Sequence, residues 1–275
     1  MGESLSYMID THCHLDSASF AHDLQDVIHQ AYAKNVRKII IPAADVKDLP
    51  TAQNIAHTHS HIFFAVGAHP NEIEGFDIEI LRKYVDDEKC IAIGECGLDY
   101  YYLPTLKSYL EQGRSEEEWA ENIQQIKEHQ KVCFRQQIEL AIELNKPIIV
   151  HIREASQDSF EILNAYPEAK GVLHCYNADR ILLDLHSRFY YGIGGVCTFK
   201  NARRLLEVLP LIPRERILLE TDAPYLTPHP YRGQRNEPSY IPLIAAKIAE
   251  ILGLEKKDII YQSTLNAMGL FKELQ

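Results

Sequence analysis

Met8-Ile9-Asp10-Thr11-His12-Cys13-His14-Leu15 closes the first apolar run of this 275-residue chain. An extended segment sends alternate side chains to one face, so His12 and His14 reach a common point while Cys13 points away and packs. Two converging imidazoles are what two ligands of one metal ion require. The pair alone fits two hydrogen-bonded histidines equally well, and the rest of the chain decides between the readings.

Short runs rich in Ile and Val recur at residues 7–14, 37–43, 62–69, 90–98, 147–153, 171–175, 189–197 and 217–225. Amphipathic stretches separate them, as where Ile123, Ile126, Cys133, Phe134, Ile138, Ala141 and Ile142 repeat near a 3.6 period. That alternation is the pattern of βα units around a parallel sheet. Residues 101–131 are an extended piece after the fourth run, holding the only tryptophan, Trp119, and the acidic Glu116-Glu117-Glu118. Ser115 and Glu118 stand at capping-box spacing and start a helix there. After the eighth run, residues 227–238 form a Pro-rich loop carrying Arg232 and Arg235, and residues 256–274 are helical in one piece or two. No repeat, low-complexity segment or Gly/Ser-rich linker divides the chain. The expected fold is α/β, a single (β/α)8 TIM barrel over residues 1–275, with an open doubly wound sheet as the alternative.

With 46% apolar residues and no apolar run near the roughly 18 residues of a membrane span, the composition is that of a globular chain. The N-terminal residues 1–7 carry neither a basic region nor an apolar signal core, so the expected address is cytoplasmic. Six cysteines without a Cys-x-x-Cys pair are expected to be free, mostly buried thiols. A net charge of −11 argues against a broad basic surface for duplex DNA, which confines any nucleic-acid contact to a local site.

In such a barrel the C-terminal strand ends face the active side. Here those ends carry His12 and His14, then His69, Glu95 with Asp99, His151 with Arg153, His174, and Glu220 with Asp222. Any one of these has a bland account as a hydrogen-bonding residue. Together they occupy positions that burial would otherwise fill with Val, Ile and Leu. Four of these imidazoles, with at least two carboxylates and no thiolate cluster, suit Zn, Mn, Fe or Ni, with Mg also among the ions expected. Six ligands exceed what one tetrahedral ion needs, which points to two ions with Glu95 between them.

Taken in order, Ile9-Asp10-Thr11-His12-Cys13-His14-Leu15, Gly67-x-His69-Pro70, Gly94-Glu95-x-Gly97-Leu98-Asp99, Pro147-Ile148-Ile149-Val150-His151-x-Arg153, His174-Cys175-Tyr176 and Glu220-Thr221-Asp222-Ala223-Pro224-Tyr225-Leu226 make the chain resemble the TatD-like metal-dependent deoxyribonucleases, a branch of the amidohydrolase superfamily. The resemblance covers nearly the whole chain. It implies a metal site at the C-terminal face in which His12, His14 and Asp222 hold one divalent ion, His151 and His174 the other, and Glu95 bridges them. It implies hydrolysis of DNA phosphodiester bonds, including 3′-to-5′ exonuclease action on single-stranded or frayed ends. In the mechanism expected, a metal-activated water attacks phosphorus and Asp222 accepts its proton. Arg153, and Arg232 or Arg235, are expected at phosphate; His69 orients substrate or water, or supports the site by a hydrogen bond. Asp10, Asp99 and Glu220 are assigned to supporting duty. The 101–131 piece is longer than the resemblance leads one to expect, and as a loop it would lie over or beside the active face. A small-molecule amidohydrolase or lactonase on the same ions is the rival reading, disfavoured because many such relatives bridge with a modified lysine where this chain has Glu95. A barrel that lost its chemistry is the third, and no ligand is missing.

Overall fold

The computed structural model describes residues 6–275, so most of the N-terminal stretch read for a targeting signal lies outside the described residues. Eight parallel strands follow in chain order: β1 (Met8–Asp10), β2 (Val36–Ile41), β3 (Ile62–Val66), β4 (Cys90–Asp99), β5 (Ile148–Arg153), β6 (Gly171–Leu173), β7 (Phe189–Ile193) and β8 (Ile217–Leu219). Around them run α1 (Leu24–Ala33), α2 (Leu49–Thr58), α3 (Ile78–Arg82), α4 (Leu106–Glu111), α5 (Glu116–Glu143), α6 (Ser156–Ala165), α7 (Arg203–Val208), α8 (Ile241–Leu252) and α9 (Lys256–Leu270). The ring closes just beyond the regular strands. There the Thr11 N–H donates to the Leu219 carbonyl, the Asp222 N–H donates to the His12 carbonyl, and Cys13 bridges Ala223 in parallel. Sequential strand order with contact between first and last is the TIM barrel; a doubly wound sheet has neither.

All eight expected runs contain a strand, but several strands stop early on the side that carries the polar residues. The run at 7–14 is regular only through Asp10, and that at 217–225 only through Leu219. Side chains take over from the ladder there: Asp10 accepts the Thr221 N–H at 2.9 Å and its hydroxyl at 2.6 Å, tying the ends of β1 and β8 together. His12 and His14 therefore stand past the strand that was expected to present them. Their segment stays extended because the Cys13 N–H donates to Ile40 and the His14 N–H to Ala223.

Ile9, Ile40, Phe63, Ile91, Ile149 and Leu218 pack inside the barrel, and Leu270, Phe271 and Leu274 plug its N-terminal opening. Each fully buried side chain of this size contributes about 1.5–3 kcal/mol. The 101–131 piece, expected as a loop with a helix starting at Ser115, also holds α4, and the helix from Glu116 runs on unbroken through residue 131, so the piece does not end as a separate loop. Ser115 and Glu118 make both bonds of a capping box, at 3.1 and 2.8 Å. Three glutamates in the first turn complement the helix dipole, and neither Gly nor Pro interrupts residues 116–143. The buried residues of α5 begin at Gln130, and its first half is at most half-buried. The six cysteines are free, and among the described residues no helix is long and apolar enough to cross a membrane.

Candidate metal centre

Six expected ligands converge on one point at the C-terminal mouth, with Glu95 of β4 at its centre. Its Oε2 lies 3.2 Å from His12 Nε2 and 3.8 Å from His14 Nε2. Its Oε1 lies 2.8 Å from both His151 Nδ1 and His174 Nε2. Asp222 Oδ1 completes the first group, 3.7 and 3.6 Å from the Nε2 atoms of His12 and His14. Within the groups, His12 and His14 nitrogens are 3.3 Å apart and those of His151 and His174 are 3.1 Å apart. The two oxygens of one carboxylate thus face two separate sets of imidazoles.

Some of these side chains are held by neighbours. The Asp99 carboxylate lies 3.2 Å from His151 Nε2 and accepts from Asn71, fixing the ring so that Nδ1 faces Glu95. Gln130 of α5 clamps the Asp99 backbone, its amide oxygen accepting the N–H at 3.0 Å and its nitrogen donating to the carbonyl at 3.1 Å. Gln137, two turns along the same helix face, makes the same double contact with Ala68 beside His69. Gly97, at φ 148°, sits where a Cβ would strike the His151 carbonyl, so only glycine lets β4 and β5 meet at that height. Asp222 adopts φ 58°, a left-handed conformation that Asp tolerates, and Asn236 donates to the carbonyl of the adjacent Thr221. Deeper, Glu220 accepts the Cys175 N–H at 2.6 Å, occupying space that a side chain at Gly192 would fill.

The electrostatics suit a cation site. Burial opposes ionisation of Glu95, yet the surrounding His174 and His12 hold its carboxyl well below the usual carboxylate range. Burial likewise opposes protonation of His14 and His151, but carboxylates raise both to about 9, Asp222 and Glu95 acting on the first and Asp99 and Glu95 on the second. Burial and the neighbouring His174 push His12 down to about 4. Protons on His14 and His151 therefore occupy the place of positive charge that a divalent ion would supply, and they would leave on binding. The spacing fits too. Ligands about 2.0–2.1 Å from an ion stand about 3.3 Å apart in a tetrahedral set and about 2.9 Å apart at adjacent octahedral positions. His12 Nδ1 and His174 Nδ1, on the ring edges away from Glu95, are buried without hydrogen-bond partners.

The candidate substrate residues part ways. His69 accepts the Asn71 N–H at Nδ1, which leaves its Nε2 as the donor, 3.7 Å from Glu95 Oε1. Arg153 lies over the rings of Tyr101 and Tyr102 at the mouth. Arg235 does not match its expected place: it forks onto the Asp23 carboxylate at 2.9 and 2.6 Å and reaches Glu237 at 3.0 Å. Arg232 donates to the Thr227 carbonyl and lies 3.9 Å over the Phe199 ring, so it too is engaged internally. Gln130, Gln137, Asn71 and Asn236 escaped sequence reading. The glutamines alone left a trace, as polar residues seven apart on the otherwise apolar face of α5.

Comparison with known proteins places the chain among metal-dependent hydrolases. The chain is 36% identical over 272 residues to the uncharacterized metal-dependent hydrolase YabD of Bacillus subtilis, covering 96% of this chain and 99% of that one. It is 32% identical over 277 residues to the 3′-5′ ssDNA/RNA exonuclease TatD of Erwinia tasmaniensis, covering 96% and 99%. The crystal structure of the TatD homolog YjjV from Escherichia coli superposes with a TM-score of 0.82 at 25% identity, over 98% of this chain and 99% of that one. The model of the TatD related DNase family matches residues 9–272, and the chain belongs to that family.

Proposed function

We propose that this TatD-family metal-dependent hydrolase cleaves phosphodiester bonds of DNA, working from the 3′ ends of single or frayed strands. The observation that carries the reading is the Glu95 carboxylate, shared at 2.8–3.8 Å between His12 with His14 on one side and His151 with His174 on the other. A carboxylate so placed suits two divalent ions, His12, His14 and Asp222 holding one and His151 and His174 the other. Bound ions would supply a water acidic enough to deprotonate near neutral pH and would stabilise charge on phosphoryl oxygens. Asp222 is the proton acceptor: its Oδ1 lies 3.7 and 3.6 Å from the Nε2 atoms of His12 and His14, so with that oxygen on an ion the other oxygen would be left to the nucleophilic water. His69 is kept neutral, burial pushing it down to about 4, and so presents an N–H to a phosphoryl or leaving oxygen beside Glu95. Arg153 orients the phosphate. The name of the Erwinia relative supports the 3′-to-5′ direction.

The test is to strip the protein with a chelator, restore Mg²⁺, Mn²⁺, Zn²⁺, Fe²⁺ or Ni²⁺ singly, and follow 5′-labelled single-stranded DNA beside a panel of amides and lactones. A ladder shortening from the 3′ end, only with metal, is expected. Metal-dependent lactone or amide turnover with intact DNA overturns the reading.

A further inference from the structure

Three exposed tyrosines surround the mouth of the metal centre. Tyr101 and Tyr102 follow β4 and are 57% and 65% exposed, their rings 5.0 Å apart and nearly perpendicular. Tyr225, 59% exposed, follows β8 and sets its ring 6.0 Å from that of His14. Arg153, two residues past His151, lies 3.7 Å from the Tyr101 ring centre and 5.0 Å from that of Tyr102. No hydrogen bond or ion pair engages its guanidinium among the described residues, in contrast to Arg235, which two carboxylates hold.

We propose that this rim is a stacking subsite for single-stranded nucleic acid: Tyr102 and Tyr225 receive unpaired bases at the strand end, and Arg153, braced on Tyr101, receives an adjacent phosphate. The inference rests on the phosphodiesterase reading and adds what gives that site its preference for single strands. Charge leads to the same place. A chain of net charge −11 attracts no polyanion from a distance, and Arg232 and Arg235 are engaged internally. Affinity must then come from contacts that salt does not screen, and base stacking on aromatic rings is one that every base offers. Paired bases keep their faces inside the duplex, so an intact blunt end has nothing to place on the tyrosines.

The test measures kcat/KM for a single-stranded oligonucleotide and for the same strand with abasic residues at its 3′ end. The wild type is expected to favour the based strand by about tenfold or more, the effect of losing a stacked base. Tyr102→Ala with Tyr225→Ala is expected to bring that ratio close to one, while Tyr261→Ala, an exposed tyrosine on α9, keeps it. Independently, log(1/KM) against log[salt] is expected to be no steeper than about −1.5, two phosphates at about −0.7 each. A wild-type ratio of one, a ratio unchanged in the double variant, or a steep salt slope overturns the subsite while DNA cleavage stands. Absence of cleavage with every ion overturns the phosphodiesterase reading and the subsite with it.

Discussion

The two ends of the barrel interior are built from the same strands and obey opposite rules. On the N-terminal side Ile9, Ile149 and Leu218 are packed and sealed by Phe271 and Leu274. Two or three residues further along the same segments stand His12, His151 and Glu220, in a cluster where His12 Nδ1, His174 Nδ1 and Glu220 Oε2 lack partners. The lower half gains free energy from burial, while the upper half spends some of it to keep imidazoles and carboxylates dehydrated and aimed. The shortness of β1, β6 and β8 marks the change: once side chains carry the bonding, as Asp10 does with Thr221, the regular ladder ends.

The contrast breaks most sharply in the upper half. Glu95→Gln keeps the shape and removes the charge that both imidazole groups share, so oligonucleotide hydrolysis should fall by about 10³-fold or more, over 4 kcal/mol in the barrier. The variant should also lose the thermal stabilisation that divalent ions give the wild type, about 2.7 kcal/mol at a hundred times Kd. Activity within tenfold of wild type would refute Glu95 as the shared ligand. Phe271→Ala is the converse. Its ring is fully buried in the plug, and truncation should lower unfolding free energy by about 3 kcal/mol in urea melts while the folded protein keeps its metal-dependent stabilisation. A large loss of metal response there would mean that the two halves are not separable.

The site was legible in the sequence to the extent that its chemistry is carried by residue type at strand ends. His12, His14, His69, Glu95, His151, His174 and Asp222 stand out because imidazoles and carboxylates interrupt apolar runs, and the structure brings them together. What stayed hidden depends on partners far away in the chain. Arg235 reads as a free loop guanidinium until the fold sets Asp23, more than 200 residues earlier, against it. In the 101–131 piece the capping box and the 3.6 period from Ile123 mark the start of a 28-residue helix, whereas the short α4 before it escapes that reading.

Gln130 tests whether α5 belongs to the upper half. Its amide closes on both backbone groups of Asp99, whose carboxylate in turn holds His151. Gln130→Ala leaves those groups without that partner and should lower stability by about 1–2 kcal/mol. If the clamp aligns the ligand as well as the fold, metal affinity by calorimetry should also drop, by about tenfold. Unchanged affinity would confine Gln130 to packing.

The smallest expected effect lies where α5, α6 and the end of β4 meet outside the ligand cluster. Asp158 accepts from the Tyr100 hydroxyl at 2.6 Å and pairs with Lys131 at 2.9 Å. Burial alone would raise its carboxyl, but the bond from Tyr100 and the charge of Lys131 more than offset that and lower it. A carboxyl depressed in the folded state stabilises above the ordinary carboxylate range, and the contribution fades as pH falls through the folded value. Asp158→Asn should therefore lose about 0.5 kcal/mol in urea melts at pH 7, the scale of a solvent-screened pair, and the gap to wild type should shrink toward pH 3. A gap that stays constant with pH would show that the carboxylate acts through its shape alone and that the junction owes nothing to charge.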